Sequence, residues 1–229
     1  MLAGKWQVKV CGMRVPEQIQ ALVTLPVDWM GIILVPESPR FAGKEKKLGD
    51  WLLNHQDLFG RIKKTGVFVN EPLENVLHAV QDYGLDAVQL HGDESAAYCR
   101  ELLTLCEVAR LPKPVLLKAI GIAKSSDLPL PADPLQEIID YWLFDTKGPA
   151  RGGNGIRFDW SVLENYRDGK PFFLSGGIGP ESIEALLGFN HPLMHGIDIN
   201  SRFETEAGIK DITLIQSFLE ELNNKMLDL

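Results

Sequence analysis

Two reactive side chains, a thiol and a carboxylic acid, lie at the ends of short apolar runs. Cys11 ends the run 8–11, and Asp145 follows the run 142–144. A thiol with a lowered pKa could act as a base or nucleophile, although a free cysteine is often only a compact buried hydrophobe. A carboxyl that closes so apolar a run is costly to bury unless it is paired, caps a helix or is used chemically. This cost favours a functional role for Asp145.

Two further strand ends carry groups suited to bind a phosphate. Gly176 and Gly177 follow the apolar run 172–174 and precede Pro180, where a helix is predicted to start. Glycines let the main chain approach an anion without interference from a Cβ atom, and a helix N-terminus adds amide donors. Asn200 and Ser201, after the run 196–199, add polar donors. The pattern predicts a phosphate site, with a simple tight turn at the two glycines as the alternative.

Three other polar residues are candidates for binding. Arg40 lies in a proline-flanked loop, where a guanidinium could hold a carboxylate at two points; a solvated surface arginine is the alternative. Gln89 and His91 are two residues apart on a predicted strand, so they point the same way, either into a barrel or toward surrounding helices. His91 could be an acid, a base or a structural histidine. No spacing of His, Cys, Asp and Glu makes a convincing metal set.

Eight apolar runs recur about every 27 residues, which is the length of one strand, one helix and two loops. Most lack polar alternation, as expected of parallel strands covered on both faces. We therefore predict a single-domain (β/α)8 TIM barrel over residues 1–229, with a doubly wound open sheet as the alternative. The runs are 8–11, 30–35, 66–69, 87–90, 115–120, 142–144, 172–174 and 196–199.

Helix-like periodicity lies between the runs, and several segments carry start signals. Pro16, Pro72 and Pro180 are predicted in first helical turns, and Asp93 and Asp159 are predicted N-caps. Residues 123–134 lack periodicity and are expected to form an irregular loop before a short helix near 135–140. The clearest helical segments are 72–81, 95–106, 181–187 and 212–226.

Composition excludes several classes of protein. The 229 residues are 45% hydrophobic and 24% charged, as is usual for globular chains, and the net charge of −8 gives no field for nucleic acid or an acidic membrane surface. Three cysteines do not make a disulfide framework. No apolar run approaches a membrane span, and the start of the chain is too short and polar for a secretory signal. We expect a soluble cytoplasmic protein without a membrane partner.

The glycine cluster 151–155 is predicted to be a flexible or ligand-covering loop. Its Gly-Gly-Asn-Gly segment lacks the spacing of a dinucleotide fingerprint, and no phosphate-binding Lys-Ser/Thr pair is present. We therefore expect no nucleotide cofactor.

Taken in order, the motifs resemble the phosphoribosylanthranilate isomerase family of tryptophan biosynthesis over nearly the whole chain. The matching pieces are Lys-Val-Cys-Gly at 9–12, Ser-Pro-Arg at 38–40, Gly-Val-Phe-Val-Asn at 66–70, Val-Gln-Leu-His-Gly at 88–92, Phe-Asp-Thr at 144–146, Gly-Gly-Asn-Gly with Phe-Asp-Trp at 152–160, Ser-Gly-Gly-Ile at 175–178 and Gly-Ile-Asp-Ile-Asn-Ser at 196–201. The resemblance implies an Amadori rearrangement of N-(5-phosphoribosyl)anthranilate, without metal or organic cofactor.

The resemblance also implies roles for individual residues. Asp145 matches the family's acid, which protonates the furanose ring oxygen, and Cys11 matches the base, which removes the C2′ proton. Arg40 matches the residue that binds the anthranilate carboxylate. The phosphate end is matched by Gly176, Gly177, Asn200 and Ser201, and Asp198 is expected at the sugar hydroxyls. We also place Gln89 and His91 among the substrate-binding residues.

The chain departs from the family pattern at three positions. Arg202 stands where a glycine is usual, Asn200 where a serine is common, and Asn154 where threonine or serine is more usual. Arg202 could strengthen phosphate binding or point to solvent. The first two departures put the donor set after the last strand in question, and the third concerns contacts of the 151–155 loop.

Two other functions remain as alternatives. A catalytically silent phosphosugar-binding barrel would not need Cys11 and Asp145, and an isomerase or epimerase of another phosphosugar would not need Arg40. The expected partner is a small phosphosugar–anthranilate substrate. We expect a monomer or homodimer.

Overall fold

Eight parallel strands close into a barrel in chain order, with β1 paired to both β2 and β8. The computed structural model describes Leu2 and residues 5–44, 47–147, 159–167 and 169–228. The predicted (β/α)8 barrel is confirmed, and the open doubly wound sheet is wrong. The strands are β1 (Gln7–Val10), β2 (Trp29–Ile33), β3 (Lys63–Phe68), β4 (Ala87–Leu90), β5 (Val115–Ile122), β6 (Tyr141–Thr146), β7 (Phe172–Leu174) and β8 (Met194–Ile199).

The described part of the chain contains six α-helices outside the barrel, and the last four follow the predicted periodic segments. The helices are α1 (Pro16–Leu22), α2 (Leu48–Asn54), α3 (Leu73–Asp82), α4 (Ala96–Val108), α5 (Ile183–Gly188) and α6 (Ile212–Leu227). Between β5 and β6 the chain forms two short 3-10 turns, Ser125–Asp127 and Pro134–Glu137, in place of an α-helix. Prolines at 129, 131 and 134 explain this, because each lacks the amide hydrogen that a helix interior needs.

The predicted helix starts are mostly confirmed. Pro16 opens α1, Pro180 opens a 3-10 turn before α5, and Asp159 caps a 3-10 helix through the Ser161 N–H. Pro72 lies one residue before α3, as its N-cap. The prediction for Asp93 is wrong: α4 begins at Ala96, three residues later, and is capped by Ser95, whose hydroxyl accepts from the Tyr98 N–H.

The Asp93 prediction fails because the loop after β4 is longer than a minimal turn. Asn70 Oδ1 accepts the Asp93 N–H at 2.6 Å, and the Glu94 carboxylate accepts the Gly92 N–H at 2.9 Å. Glu94 is itself bound to the buried ammonium of Lys118 at 3.0 Å. These bonds hold the segment that follows His91 and delay the start of α4.

Apolar side chains fill the lower, N-terminal part of the barrel interior. Trp29, Phe173 and Tyr141 pack edge to face, with ring centroids 5.4–5.8 Å apart. Smaller side chains complete this cluster, namely Ala87, Leu117, Ala119 and Leu143. A second apolar layer lies between the strands and the helices. We call this inner cluster the apolar floor. The upper barrel is the part of the interior above it, toward the C-terminal ends of the strands, where the polar residues lie.

This floor predicts a large stability cost for truncating its central ring. Replacing Phe173 with alanine should lower the free energy of unfolding by about 3–5 kcal/mol, because a fully buried aromatic leaves a cavity that closely packed neighbours cannot fill. Denaturant unfolding measures the change. The control is Leu130→Ala, at a leucine that is 71% exposed, which should change stability by less than about 0.5 kcal/mol. Equal effects in the two variants would contradict the packing assignment.

Candidate active site

A buried ion pair occupies the interior of the barrel between β1 and β8. Lys9 Nζ lies 2.8 Å from Asp198 Oδ1, and the two side chains are 0% and 5% exposed. The register that closes the barrel places the two residues opposite each other. Asp198 Oδ2 also accepts from the Ser175 hydroxyl at 3.3 Å. Burial alone would lower the pKa of Lys9, but the attraction of Asp198 and Cys11 outweighs it and the pKa is raised.

Lys9 did not emerge from the sequence as a site residue, although a signal was present. Side chains two residues apart on a strand share a face, and Lys9 stands two residues before Cys11 within an otherwise apolar run. A lysine at that position must be paired if it is buried. The pattern of chemistry at strand ends does not indicate Lys9, because this residue lies in the middle of an apolar run.

Cys11 lies directly beyond β1, where its backbone N–H donates to the Ile199 carbonyl at 2.9 Å. Its thiol is buried, with the residue only 4% exposed. Burial raises the pKa of Cys11 and outweighs the opposing effects of Lys9 and Lys210, while Asp198 raises it further. Lys9 also hydrogen-bonds to the thiol. Lys9 and Lys210 therefore both favour the ionised thiol, against the effect of burial.

Asp145, near the end of β6, is likewise buried and faces the barrel interior, on the same side of its strand as Leu143 of the apolar floor. Burial raises the pKa of this carboxyl to about 6, against the lowering effect of the Thr146 N–H, which donates to Oδ1 at 2.8 Å. Asp198 raises the pKa further and Lys9 lowers it. A carboxyl with this pKa can hold a proton close to neutral pH, as a general acid must.

Gln89 and His91 both point into the barrel, which settles the orientation that the sequence left open. His91 Nε2 lies 3.5 Å from Asp145 Oδ2, and Gln89 Nε2 lies 3.5 Å from His91 Nδ1. Gln89 is buried, and no residue of the described chain hydrogen-bonds to its Oε1. The three side chains form a polar row from β4 to β6.

The paired glycines after β7 both adopt positive φ, +88° at Gly176 and +66° at Gly177. A Cβ at Gly176 would lie 2.3 Å from Thr146 Oγ1 and 2.9 Å from Asp145 Oδ1. Gly176 is therefore required by its close approach to the carboxyl at the end of β6, whatever else its amide binds. Asn200 and Ser201 follow β8, where Ser201 opens a 3-10 turn.

Arg40 is not a solvated surface residue. Its side chain is 14% exposed and holds the Glu204 carboxylate at two points, with Nε 3.0 Å from Oε1 and Nη2 2.8 Å from Oε2. Glu204 begins the hairpin of β9 (Glu204–Glu206) and β10 (Ile209–Lys210), which follows β8. Lys210 Nζ binds Glu204 Oε1 at 2.7 Å and Asn200 Oδ1 at 2.6 Å. The sequence did not reveal Glu204 or Lys210 as site residues.

One predicted feature, Arg202, lies away from this arrangement. Arg202 donates to Glu181 at 2.7 Å, and both side chains are about half exposed, so the guanidinium lies at the surface. The 151–155 loop and Asn154 lie outside the described residues. Within the described part of the chain, His, Cys, Asp and Glu form no group of three or more that could hold a metal ion. No helix there is long and apolar enough to span a membrane.

Comparisons with known proteins agree with one another. Residues 8–221 match the family model of N-(5'-phosphoribosyl)anthranilate (PRA) isomerase. The chain is 40% identical over 219 residues to the N-(5'-phosphoribosyl)anthranilate isomerase of Phocaeicola vulgatus, covering 96% of this chain and 98% of the relative. It is 39% identical to that of Parabacteroides distasonis, covering 94% and 92%.

Solved structures show the same similarity. The crystal structure of phosphoribosyl anthranilate isomerase from Thermotoga maritima superposes with a TM-score of 0.77 at 30% identity, covering 96% of this chain and 99% of that chain. A phosphoribosyl anthranilate isomerase in complex with reduced 1-(o-carboxyphenylamino)-1-deoxyribulose 5-phosphate superposes with a TM-score of 0.74 at 27% identity and the same coverage.

The raised pKa of Asp145 predicts that this carboxyl destabilises the fold. Because its folded pKa of about 6 exceeds the ordinary 3.8, the folded chain binds more protons between these values, and wild-type stability falls as pH rises through that interval. Asp145→Asn, which does not titrate, should be more stable by about 2–3 kcal/mol above pH 6 and gain little below pH 4. Urea unfolding at pH 4 and pH 7.5 measures this. A variant less stable than wild type at pH 7.5 would contradict the assigned burial cost.

Proposed function

This chain belongs to the N-(5'-phosphoribosyl)anthranilate isomerase family and is an isomerase of tryptophan biosynthesis, and from that premise we propose that Cys11 is its general base and Asp145 its general acid. The reaction is the Amadori rearrangement of N-(5-phosphoribosyl)anthranilate to 1-(2-carboxyphenylamino)-1-deoxyribulose 5-phosphate. The observation that carries the assignment is that both groups are buried in the upper barrel and both interact with Lys9 and Asp198.

The first proton transfer opens the sugar ring. Asp145 donates its proton to the furanose oxygen as the bond between that oxygen and C1′ breaks, and the anthranilate nitrogen forms a double bond to C1′. In the second step the Cys11 thiolate removes the C2′ proton, and the electron pair moves to neutralise the nitrogen. The resulting enol tautomerises to the ketone product. Neither step requires an added oxidant, reductant or metal ion in this scheme.

The two groups must hold opposite protonation states, and their environments differ accordingly. Asp145 is kept protonated to about pH 6 by burial, whereas the charged form of Cys11 is supported by the adjacent ammonium of Lys9. The competent enzyme has one proton on Asp145 and none on Cys11, although burial raises the pKa of both. The pH dependence of the rate therefore reports two apparent pKa values.

The other polar residues fit the remaining parts of the substrate. We assign Gly176, Gly177, Asn200 and Ser201 to the phosphate, since two glycines follow β7 and polar residues follow the neighbouring strand β8. We assign Asp198, Gln89 and His91 to the sugar. The Gln89 Oε1, to which no described residue donates, suits a substrate hydroxyl. Arg40 is assigned to the anthranilate carboxylate, which distinguishes this substrate from a bare phosphosugar.

Three further proposals concern the chain as a whole. The chain forms one barrel domain, works in the cytoplasm and is a monomer or homodimer. A structure from Thermotoga maritima that superposes with a TM-score of 0.73 at 27% identity concerns generated monomers of a dimeric phosphoribosylanthranilate isomerase. Gel filtration with light scattering distinguishes the two oligomeric states.

Removing either catalytic group should abolish turnover. Cys11→Ser and Asp145→Asn should each lower kcat/KM by about a hundredfold or more, because general acid–base catalysis contributes about 10²–10⁴. The loss of anthranilate-type fluorescence after mixing with freshly made N-(5-phosphoribosyl)anthranilate measures the rate. Cys106→Ala, at a buried thiol on α4, is the control and should retain activity. Full activity in either catalytic variant would remove that residue from its role, and an inactive wild type would favour the silent binding barrel.

The pH dependence should separate the two groups. The reactive form has a proton on Asp145, the group with the lower pKa, and none on Cys11, the group with the higher pKa. With this order of pKa values, we expect kcat/KM to rise with pH through a lower limb near pH 6, set by Asp145, and to fall at an upper limb set by Cys11. Since the Lys9 charge lowers the Cys11 pKa, Lys9→Met should move the upper limb to higher pH and reduce the plateau rate. An unchanged upper limb in a folded Lys9→Met variant would show that Lys9 does not support the thiolate.

A further inference from the structure

The guanidinium of Arg40 is already bonded along one of its edges. The hydrogen bonds from Nε and Nη2 to Glu204 use the side edge of the group. A guanidinium has five donors and a second two-point edge, formed by Nη1 and Nη2. A carboxylate held on the side edge therefore fixes the plane of the group and leaves its end edge oriented for another planar anion.

The net charge of the cluster around Arg40 favours the binding of a second carboxylate. Arg40 and Lys210 share the single carboxylate of Glu204, so this cluster carries one net positive charge. The Glu204 and Lys210 side chains are 5% and 0% exposed, and the Arg40 side chain is 14% exposed, so solvent screens the charge poorly. An arriving carboxylate would bring the cluster to neutrality.

The cluster also lies beside the proposed base. A Cβ at Gly12 would come within 2.8 Å of Asn200 Oδ1 and within 3.3 Å of both Arg40 Cδ and Lys210 Nζ. Gly12 has a φ of +84° and directly follows Cys11. The two cationic side chains thus lie close to the residue next to the thiol.

Glu204 is held firmly enough to position Arg40. Its Oε1 accepts from Lys210 Nζ and from the Gly208 N–H at 3.2 Å, both within the hairpin that carries it. The hairpin is anchored in turn by Gln18 on α1, which exchanges two hydrogen bonds with the Lys210 backbone. The Glu204 carboxylate is therefore held in place by the hairpin itself, independently of Arg40.

We propose that Glu204, held by Lys210, is a positioning residue that presents the end edge of Arg40 to the carboxylate on the substrate's aromatic ring. The inference rests on the proposed function, because it needs Arg40 to bind that carboxylate. Glu204 itself does not touch the substrate. Its contribution is to substrate selectivity, and it acts through the orientation of Arg40.

The test compares two substrates in several variants. N-(5-phosphoribosyl)aniline lacks only the carboxylate of N-(5-phosphoribosyl)anthranilate. Glu204→Gln should raise KM for the anthranilate substrate about tenfold or more, since a misaligned group loses much of its binding contribution, with little change in kcat. It should leave KM for the aniline substrate nearly unchanged. Glu206→Gln, at an exposed carboxylate on the same strand, is the matched control and should change neither value.

A second variant covers a failure of Glu204→Gln to fold, which circular dichroism would reveal. Glu204→Asp keeps the charge but shortens the side chain, so it should also raise KM only for the anthranilate substrate. Equal increases for both substrates, no increase for either, or tighter binding of the anthranilate substrate would each overturn the positioning role; the last would mean that Glu204 competes for Arg40.

The wild-type enzyme tells this inference apart from the proposal on which it rests. If wild type turns over both substrates with the same KM, Arg40 does not bind the substrate carboxylate. The proposed role of Arg40 and the positioning role of Glu204 would then both be wrong. If wild type prefers the anthranilate substrate, and Arg40→Met removes that preference while Glu204→Gln keeps it, only the role of Glu204 is overturned.

Discussion

The buried pair of Lys9 and Asp198 is the constraint on which the upper barrel depends. Two charges removed from water are tolerated only if they neutralise each other and satisfy their remaining hydrogen bonds. The pairing of β1 with β8 closes the barrel and also places these residues opposite each other. Removing one partner would leave an uncompensated charge at a cost of about 3–5 kcal/mol. The strand pairing that closes the barrel therefore also forms the ion pair that sets the electrostatics of the site.

This pair also acts on both reactive groups. Cys11 and Asp145 lie on strands far apart in the barrel order, and both would be neutral if burial acted alone. Lys9 opposes burial at both, while Asp198 reinforces it. Because Lys9 hydrogen-bonds to the thiol, its effect favours ionisation there. At the carboxyl burial outweighs the lowering effects of the Thr146 N–H and Lys9, so Asp145 keeps its proton to higher pH than an ordinary aspartate.

The segment from β8 onward links the parts of the site in a short stretch of chain. Asp198 lies within the strand, Asn200 and Ser201 follow it, and the hairpin then carries Glu204 and Lys210. Sugar, phosphate and carboxylate contacts are proposed from these successive positions. Along β8 the side chains alternate between the barrel interior and the helical layer, so Asp198 faces the interior. The residues that follow lie where the chain leaves the strand.

The sequence was sufficient to predict the barrel and its strand-end residues, because buried parallel strands leave continuous apolar runs and chemistry collects where those runs end. It predicted Cys11 and Asp145 by type and place. It missed Lys9, which lies inside a run, and the pairing of Arg40 with Glu204, which are 164 positions apart and meet only through barrel closure. The sequence left open whether the Cys11 thiol is buried, since burial of a strand end depends on what packs over it.

The central claim is that burial in the upper barrel keeps a proton on Asp145 close to neutral pH. The most direct measurement is a pH titration of the aspartate side-chain carboxyl carbons by carbon-13 NMR, with the Asp145 signal assigned by its absence from Asp145→Asn. The account predicts a pKa of about 6 for this carboxyl. A value near 4 or below would mean that the carboxyl is already ionised at the pH where the isomerase must protonate a ring oxygen, and would contradict the account.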